Sequence, residues 1–333
     1  MTLIKELLNV PIYGGDLGLE LEVESKAPLP RVRTKVWGSK REGSLRFFGM
    51  EYYTTGETPI LNDEKKLQYI QFLVNKFNQD EIIQNSPRTS LHVHVNVQNH
   101  DIINVYALAC AYWLFENLLI KYCGEGLRSG NYFCLRLADA DAIISLLCKD
   151  IKEQSWFRSF NENEGELRYS AINFASIPKF GSVEFRAMRG THDAHIIHQW
   201  SSELHNLVTA SKHFTPSQLL DRYYYSTKEE FLSLFFSPAF SQLLTQYNNW
   251  EKCVEDNEGA VCELAYLEDW DKFNVEPKEF KRRKRFVVPP EEEEPNPEEM
   301  ERILEQLHQE QLHQDDPLPN NPEWMFQEGE GNP

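Results

Sequence analysis

The sequence predicts an α+β fold, in which a curved and mainly antiparallel sheet is packed by helices. Several short segments alternate polar and apolar residues, which is typical of strands with one buried face. These segments are scattered between helical patterns without a regular βαβ alternation, and this arrangement favours an antiparallel sheet. Hydrophobic residues make up 41% of the 333 positions, which is enough to build a sizeable core.

Three segments carry the strand patterns that matter most. In a strand, alternate side chains leave opposite faces of the sheet. The valines of "LHVHVNV", at Leu91–Val97, therefore point one way, and His92 and His94 point the other. "SVEFRAM" likewise places Glu184 and Arg186 on one face. "GLELEVES" has leucine and valine on one side and three glutamates on the other.

Apolar residues at helical spacing predict the helices between these strands. We expect one helix capped by Asn62, and others over about Asp101–Cys123, Leu137–Ile151 and Asp193–Lys212. The apolar stretch Ile103–Cys123 is broken by polar and charged residues. We therefore expect it to form a core helix and no membrane span.

The composition changes after residue 275. A block of lysine and arginine is followed by a stretch rich in proline and glutamate. Phe286–Pro333 contains 14 acidic residues and one arginine, a formal charge of −13, which leaves −5 for residues 1–285 out of the total of −18. Such a segment cannot bury enough apolar surface to order itself. We predict a folded domain over residues 1–275 and an acidic, proline-rich, disordered tail over residues 276–333, to which a protein partner could bind.

Charge and cysteine usage narrow the class of protein. The acidic balance excludes the basic surface that nucleic-acid binding requires. The six cysteines form no CxxC pair and no zinc-ribbon spacing, and the first residues lack the apolar stretch of a signal peptide. We expect a reduced, soluble, cytoplasmic protein without a membrane or nucleic-acid partner.

If the polar strands are neighbours in one sheet, four carboxylates and two imidazoles line its concave face. These residues are Glu20, Glu22, Glu51 and Glu184, together with His92 and His94. Unpaired carboxylates repel one another and are costly to desolvate, and divalent cations remove that conflict. Hard oxygen ligands favour Mg²⁺ or Mn²⁺ over zinc. Arg186 beside Glu184 suits a phosphate group, because the guanidinium fork matches phosphate oxygens.

Each strand alone has an ordinary explanation: a solvated sheet face, a zinc half-site or a surface ion-pair ladder. Their joint occurrence favours a functional site. A metal-dependent hydrolase built on the H-x-H strand is one alternative, and a non-catalytic binding protein that retains the fold is another. The hydrolase lacks a further His/Asp cluster to complete its ligands, since His195 and His198 lie in a segment that favours helix packing.

The order of short motifs resembles one enzyme family. "GLELE", "EGSLRFFGME", "HVHV", "RSGNYFC", "RYSAIN" and "SVEFRAMRGT" follow one another between Gly18 and Trp200. This order resembles the amidoligases, a phage and bacterial branch of the glutamine synthetase and glutamate–cysteine ligase superfamily of carboxylate–amine ligases. The resemblance implies a glutamine-synthetase-like catalytic domain.

By this resemblance, the protein is expected to be an ATP-dependent carboxylate–amine ligase. A carboxylate attacks the γ-phosphate of ATP, and an amine then displaces phosphate from the acyl phosphate to give an amide. The implied cofactors are ATP and Mg²⁺, with Mn²⁺ as the alternative ion. The implied partners are small-molecule or peptide carboxylates and amines. A phage-encoded member would act in the host cytoplasm.

The resemblance also implies roles for individual residues. The metal ligands would be Glu20, Glu22, Glu51, Glu184 and His92, with Glu42 as a further candidate at a position where the family often has aspartate. The residues of the chemical step would be Arg186 and Glu184. The residues that contact the nucleotide or a substrate carboxylate would be His92, His94, Arg128, Arg168 and Arg189.

Overall fold

An antiparallel sheet lies at the centre of the computed structural model. Its strands are β1 (Leu17–Ser25), β2 (Trp37–Arg41), β3 (Met50–Thr54), β4 (Ile83–Gln84), β5 (Ser90–Asn96), β6 (Ile172–Asn173) and β7 (Ser182–Arg189). Their order is β2-β3-β1-β5-β7-β6, and β4 pairs with the end of β1. All pairings between these strands are antiparallel. The prediction of an α+β fold with a mainly antiparallel sheet is confirmed.

The structure describes most of the chain up to residue 275. The described residues are 2–8, 10, 12, 14–77, 83–84, 86–140, 142–157 and 167–275. They all belong to one compact unit, Met1–Phe280. The predicted tail over residues 276–333 lies outside the described residues, so its disorder stays a prediction.

Helices connect and cover the strands. The α-helices are α1 (Ile4–Leu7), α2 (Glu64–Phe77), α3 (Ile102–Arg128), α4 (Ala142–Glu153), α5 (Ile177–Phe180), α6 (Ala194–Ser211), α7 (Pro216–Tyr224), α8 (Lys228–Phe235), α9 (Pro238–Leu244), α10 (Trp250–Glu255) and α11 (Glu258–Ala265). Short 3₁₀ turns lie at Tyr132–Cys134, Leu137–Asp139 and Leu167–Tyr169. Helices α3 and α6 pack against β7 and β5.

Alternation along the strands separates a buried face from a polar face. Leu19 and Leu21 of β1 and Val93 and Val95 of β5 are almost completely buried in the core beneath the helices. Because side chains alternate, the glutamates of β1 and the histidines of β5 leave the opposite face. One sheet thus holds its polar residues in fixed positions while its other face supplies hydrophobic stabilisation.

Helix α3 is the central core helix. The side chain of Asp101 caps it by accepting a hydrogen bond from the Ile103 amide, and Gly124 kinks it with a positive φ of 100°. Its length and composition alone would allow it to cross a membrane, but 83% of its most apolar window is buried inside the protein. The prediction of a core helix is confirmed.

Two predicted helix starts differ from the structure. Helix α2 begins at Glu64, and Asn62 accepts a hydrogen bond from the Lys66 ammonium instead of capping the helix. Helix α4 begins at Ala142. Leu137 lies in a 3₁₀ turn, and its amide donates a hydrogen bond to the buried Glu116 carboxylate at 2.8 Å. The contact of Leu137 joins residues that are distant in the sequence, whereas the contact of Asn62 is local.

Candidate active site on the polar face of the sheet

The strand register brings the predicted polar residues together. In the order β3-β1-β5-β7, the glutamates and histidines occupy neighbouring positions across the sheet. The cross-strand pairs are Glu22 with Glu51, Glu20 with His92, and His94 with Glu184. Residues opposite each other in an antiparallel sheet have their Cβ atoms about 5 Å apart, so their side chains interact directly.

Three of these residues form a group that can hold a metal ion. One ligand atom each from Glu20, His94 and Glu184 lies within 4.8 Å of the other two. His94 Nε2 is 3.4 Å from Glu20 Oε1. Two carboxylates and one imidazole are an oxygen-dominated donor set, which suits a hard divalent cation. The sequence assigned His94 to the nucleotide and His92 to the metal, whereas the geometry places His94 in the ligand group.

Electrostatics in this group favours charged carboxylates. Burial alone would raise the pKa of Glu20, but hydrogen bonds from His92 and His94 outweigh burial and hold that pKa well below its usual value. Burial would lower the pKa of His94, but the hydrogen bond to Glu20 and the charge of Glu184 raise it overall. Hydrogen bonds and charges within the group therefore favour the ionised forms of Glu20 and His94.

Arg186 contacts this group directly. Its Nη1 donates a hydrogen bond to Glu184 Oε1 and lies 3.4 Å from His92 Nδ1. Burial would raise the pKa of Glu184, but the charge of Arg186 outweighs burial and lowers it. The Nε of Arg186 is buried and has no hydrogen-bond partner within the part of the chain that the structure describes. A buried donor without a partner is costly, so this N–H is available to a ligand oxygen.

His92 is buried between the two ends of the site. Its Nδ1 lies 3.2 Å from Glu20 Oε2 and 3.4 Å from Glu184 Oε1. Its Nε2 lies 2.6 Å from Ser90 Oγ, which in turn donates to Glu22 Oε2. The imidazole therefore has Glu20 and Glu184 on its Nδ1 side, and it is connected to Glu22 through Ser90 on its Nε2 side.

Glu51 forms a second acidic position beside Glu22. It pairs with Lys40, whose Nζ lies 3.0 Å from Glu51 Oε1. Burial, and then the charge of Glu20, raise the pKa of Glu51 to about 7. Glu51 therefore exchanges its proton near neutral pH, unlike Glu20 and Glu184.

Sequence reasoning missed two of the supporting polar residues, Ser90 and Ser182. The Asn173 amide donates to Glu184 Oε2 at 2.7 Å, and Ser182 Oγ lies 3.1 Å from His94 Nδ1. Ser90 and Ser182 each lie two positions before a site residue in the same strand, so alternation alone places them on the polar face. That signal was present in the sequence.

Arg128 lies in the core of the protein and not on the polar face. Its side chain is completely buried at the end of α3. The guanidinium donates to the carbonyls of Ala187 at 2.9 Å and Arg186 at 2.7 Å, and more weakly to those of Pro87 and Thr89. It ties α3 to β7 and to the entry of β5. The predicted contact with nucleotide or substrate therefore has no support from this position.

Three other predicted residues make contacts with residues outside the ligand group. The Glu42 carboxylate accepts hydrogen bonds from Ser44 in the loop before β3. Arg168 is exposed and lies over the Tyr169 ring, with its Cζ 4.6 Å from the ring centre. Arg186 approaches the same ring at 5.8 Å, whereas Arg189 donates to the Tyr122 carbonyl. Their predicted roles stay predictions.

Comparison with known families bears on this geometry. Residues 57–206 match the model of a protein family described as "putative amidoligase enzyme", over a little under half of the chain. We call residues 57–206 the matched segment. The family resemblance predicted from the motifs is thus confirmed over these residues, and it indicates a ligase-type enzyme. The search of curated proteins gave no match.

The matched segment supplies part of the site. It contains the histidine strand β5 and the strand β7 with Glu184 and Arg186, whereas Glu20, Glu22 and Glu51 precede it. The sheet joins the two parts, because β1 pairs directly with β5 of the matched segment. The assembled site places acidic, basic and imidazole groups within hydrogen-bond distance of one another.

Proposed function

We propose that the protein is an ATP-dependent carboxylate–amine ligase that forms an amide bond through an acyl phosphate. The observation that carries the proposal is the ligand group Glu20, His94 and Glu184 beside Arg186, in a chain whose matched segment fits the amidoligase family model. Arg186 combines a fixed position with a buried Nε–H that has no partner among the described residues. That combination suits an oxygen of a transferring phosphoryl group.

The donor chemistry of the site fits Mg²⁺ better than zinc. Two of the three candidate ligands are carboxylates, and the cysteines lie elsewhere in the chain with raised thiol pKa values where a shift is resolved. Glu20, His94 and Glu184 would hold the ion. When bound, it would neutralise charge on the phosphates of ATP. Mn²⁺ prefers the same ligand types and is the natural substitute.

The proposed reaction has two balanced steps. A substrate carboxylate oxygen bonds to the γ-phosphorus, and the bond from that phosphorus to the bridging oxygen breaks, which releases ADP. The amine nitrogen then bonds to the acyl carbon, phosphate leaves with the electron pair of the broken C–O bond, and the nitrogen loses a proton. In the first step, Arg186 would orient the phosphoryl oxygens and stabilise their charge. The substrates would be small-molecule or peptide carboxylates and amines.

Isotope transfer tests this mechanism directly. The purified full-length chain is incubated with Mg²⁺-ATP, a pool of ¹⁸O-carboxylate amino acids and peptides, and a pool of amines. We expect ADP, a new amide, and phosphate that carries one ¹⁸O atom from the carboxylate. Hydroxylamine in place of the amine should trap the acyl phosphate as a hydroxamate. Formation of AMP would contradict an acyl phosphate, and amide cleavage without ATP consumption would instead support the hydrolase alternative.

A further inference from the structure

We propose that Ser90 is a positioning residue, through which Glu22 fixes the imidazole of His92. The inference rests on the proposed function only in that it takes the cluster to be the site of cation and phosphate binding. It concerns the ring position before any ligand binds. It therefore gives Glu22 a role in addition to the metal-ligand role that the sequence predicts.

The three residues form a short chain of hydrogen bonds. Ser90 lies two positions before His92 in β5, so both side chains occupy the polar face beside β1. Ser90 Oγ is 2.6 Å from His92 Nε2 and donates to Glu22 Oε2. Ser90 is 2% exposed and His92 is 3% exposed. Because water has little access to these atoms, each must find its partner within the protein.

The number of available protons fixes the direction of these bonds. A serine hydroxyl has one proton, and a carboxylate accepts hydrogen bonds without donating them. Ser90 therefore donates to Glu22, and its oxygen accepts the proton on His92 Nε2. The reverse arrangement would place the Glu22 carboxylate against the lone pairs of Ser90 and remove the donor that it has there.

A fixed Nε2–H orients the opposite edge of the ring. The Nδ1 edge of His92 faces Glu20 Oε2 at 3.2 Å and Glu184 Oε1 at 3.4 Å. A ring flip would exchange the nitrogen and carbon atoms at both edges and break the bond to Ser90. Ser90 and Glu22 therefore hold one edge of the ring, while Nδ1 lies between the two carboxylates and 3.4 Å from Arg186 Nη1. Outer hydrogen bonds of this kind orient ligand histidines in metal sites generally.

Nitrogen NMR tests the proton position on the metal-free, full-length protein. The sample is labelled with ¹⁵N in its histidines, and the His92 signals are assigned from a His92→Gln variant. We expect the proton of His92 on Nε2 in the wild type. In Ser90→Ala, Nε2 should lose that fixed proton signal. A wild-type ring that carries its proton on Nδ1 alone, or a His92 spectrum that Ser90→Ala leaves unchanged, would overturn the proposal.

Two further variants keep this test decisive. Ser211→Ala is the matched control, because Ser211 is also buried, at 1% exposure, and its hydroxyl donates to a carbonyl within α6. It should leave the His92 signals unchanged. Glu22→Gln preserves the shape of the side chain but adds an amide donor, so the preference for Nε2–H should weaken even if Ser90→Ala does not fold. An unchanged preference in a folded Glu22→Gln protein would contradict the role of Glu22.

Cation dependence gives an independent readout. Ser90→Ala should raise the Mg²⁺ concentration needed for half-maximal ATP turnover by about 10-fold or more, with a smaller change in kcat at saturating Mg²⁺. Ser90→Thr retains the hydroxyl and should restore the wild-type Mg²⁺ requirement. An unchanged requirement in Ser90→Ala would contradict the proposal. If the wild type neither consumes ATP nor binds Mn²⁺, the proposed function fails, while the NMR result still decides the role of Ser90.

Discussion

At the residue scale, the charge of Glu184 is balanced within the protein before any ligand binds. Arg186 donates to one of its oxygens and Asn173 to the other. Burial raises the pKa of this carboxyl, and the charges of Arg186 and the histidines lower it further than burial raises it. The same residue thus stabilises the fold and offers a ligand oxygen.

Replacing Glu184 should therefore affect both stability and activity. We expect Glu184→Gln to lower turnover by about 10²-fold and to raise the Mg²⁺ requirement, because a ligand charge is lost. At pH 7 it should also cost about 3 kcal/mol, since Arg186 is left buried without its counter-charge. A lowered pKa stabilises the fold above the unfolded pKa, so the difference in unfolding free energy should shrink as the pH falls. Turnover against Mg²⁺ concentration and urea unfolding at two pH values measure these effects.

The control for this variant is Glu229→Gln, which changes an exposed glutamate of α8. It should alter neither turnover nor unfolding. A Glu184→Gln protein with reduced stability and unchanged ATP turnover would mean that Glu184 is only part of a structural ion pair.

Arg186→Lys separates charge from geometry at the phosphoryl position. Lysine keeps a positive charge but lacks the planar fork that can hold two oxygens at once. We expect kcat to fall by about 10²-fold or more, while the affinity for Mg²⁺-ATP changes little. Turnover and calorimetric titration with a non-hydrolysable ATP analogue measure the two quantities.

The control is Arg222→Lys, at an exposed position of α7, which should leave both quantities unchanged. Unchanged kcat in Arg186→Lys would remove Arg186 from the chemical step.

Glu51 gives the protein a pH-dependent stability near neutrality. Its folded pKa of about 7 lies above the unfolded value of 4.5, because of burial and the charge of Glu20. A raised carboxyl pKa stabilises the fold below pH 4.5, and that contribution is lost as the pH rises through 7. Glu51→Gln should therefore gain about 3 kcal/mol relative to the wild type above pH 7. Urea unfolding at pH 4.5 and pH 8 measures the gain, which should be much smaller at pH 4.5. An equal difference at both pH values would contradict this assignment.

At the element scale, the faces of the strands could be predicted, but their register could not. Alternation in β1 and β5 identifies the polar face, because a period of two is a local property. In β7, however, the register shifts, so that Phe185 and Met188 both pair with buried residues of β5, Val93 and Leu91. Such a bulge depends on the partner strand. The sequence identifies both histidines. The geometry offers His94 as part of a ligand group, and the metal-ligand role of His92 stays a prediction.

Local sequence patterns also could not predict the environment of Arg128. Its bonds to carbonyls of β7 and the β5 entry form only after α3 has packed on the sheet. We expect Arg128→Met to cost about 3 kcal/mol or more, since several buried carbonyls lose their donor. Arg136→Met, which removes a partly exposed pair with Asp139, should cost about 1 kcal/mol. Urea unfolding compares the two variants. Full stability with lost ATP affinity in Arg128→Met would return Arg128 to the predicted nucleotide role.

At the scale of the whole molecule, the candidate site and the most acidic stretch are separated along the chain. The site is built from residues between β1 and β7, and the last described residue is Val275. Composition predicts a disordered segment at Phe286–Pro333, which combines high charge, proline and few aromatic residues, and this stays a prediction. Composition could not indicate which distant strands pair, and the pairing of β1 with β5 is what assembles the site.

Truncation after Arg285 tests whether the acidic segment takes part in the chemistry. It removes 14 acidic residues and one arginine but no residue of the candidate site. We expect the same turnover at saturating Mg²⁺-ATP and the same unfolding midpoint as in the full chain. At low ionic strength, the KM for Mg²⁺-ATP should fall slightly, because a source of repulsion for the nucleotide is gone, and salt should remove this difference by screening. A variant that keeps the segment but replaces its glutamates with glutamines serves as the control for charge alone. If truncation abolishes turnover while unfolding is unchanged, the segment acts on the site as a lid or a substrate mimic, and the boundary at residue 275 does not limit the catalytic unit.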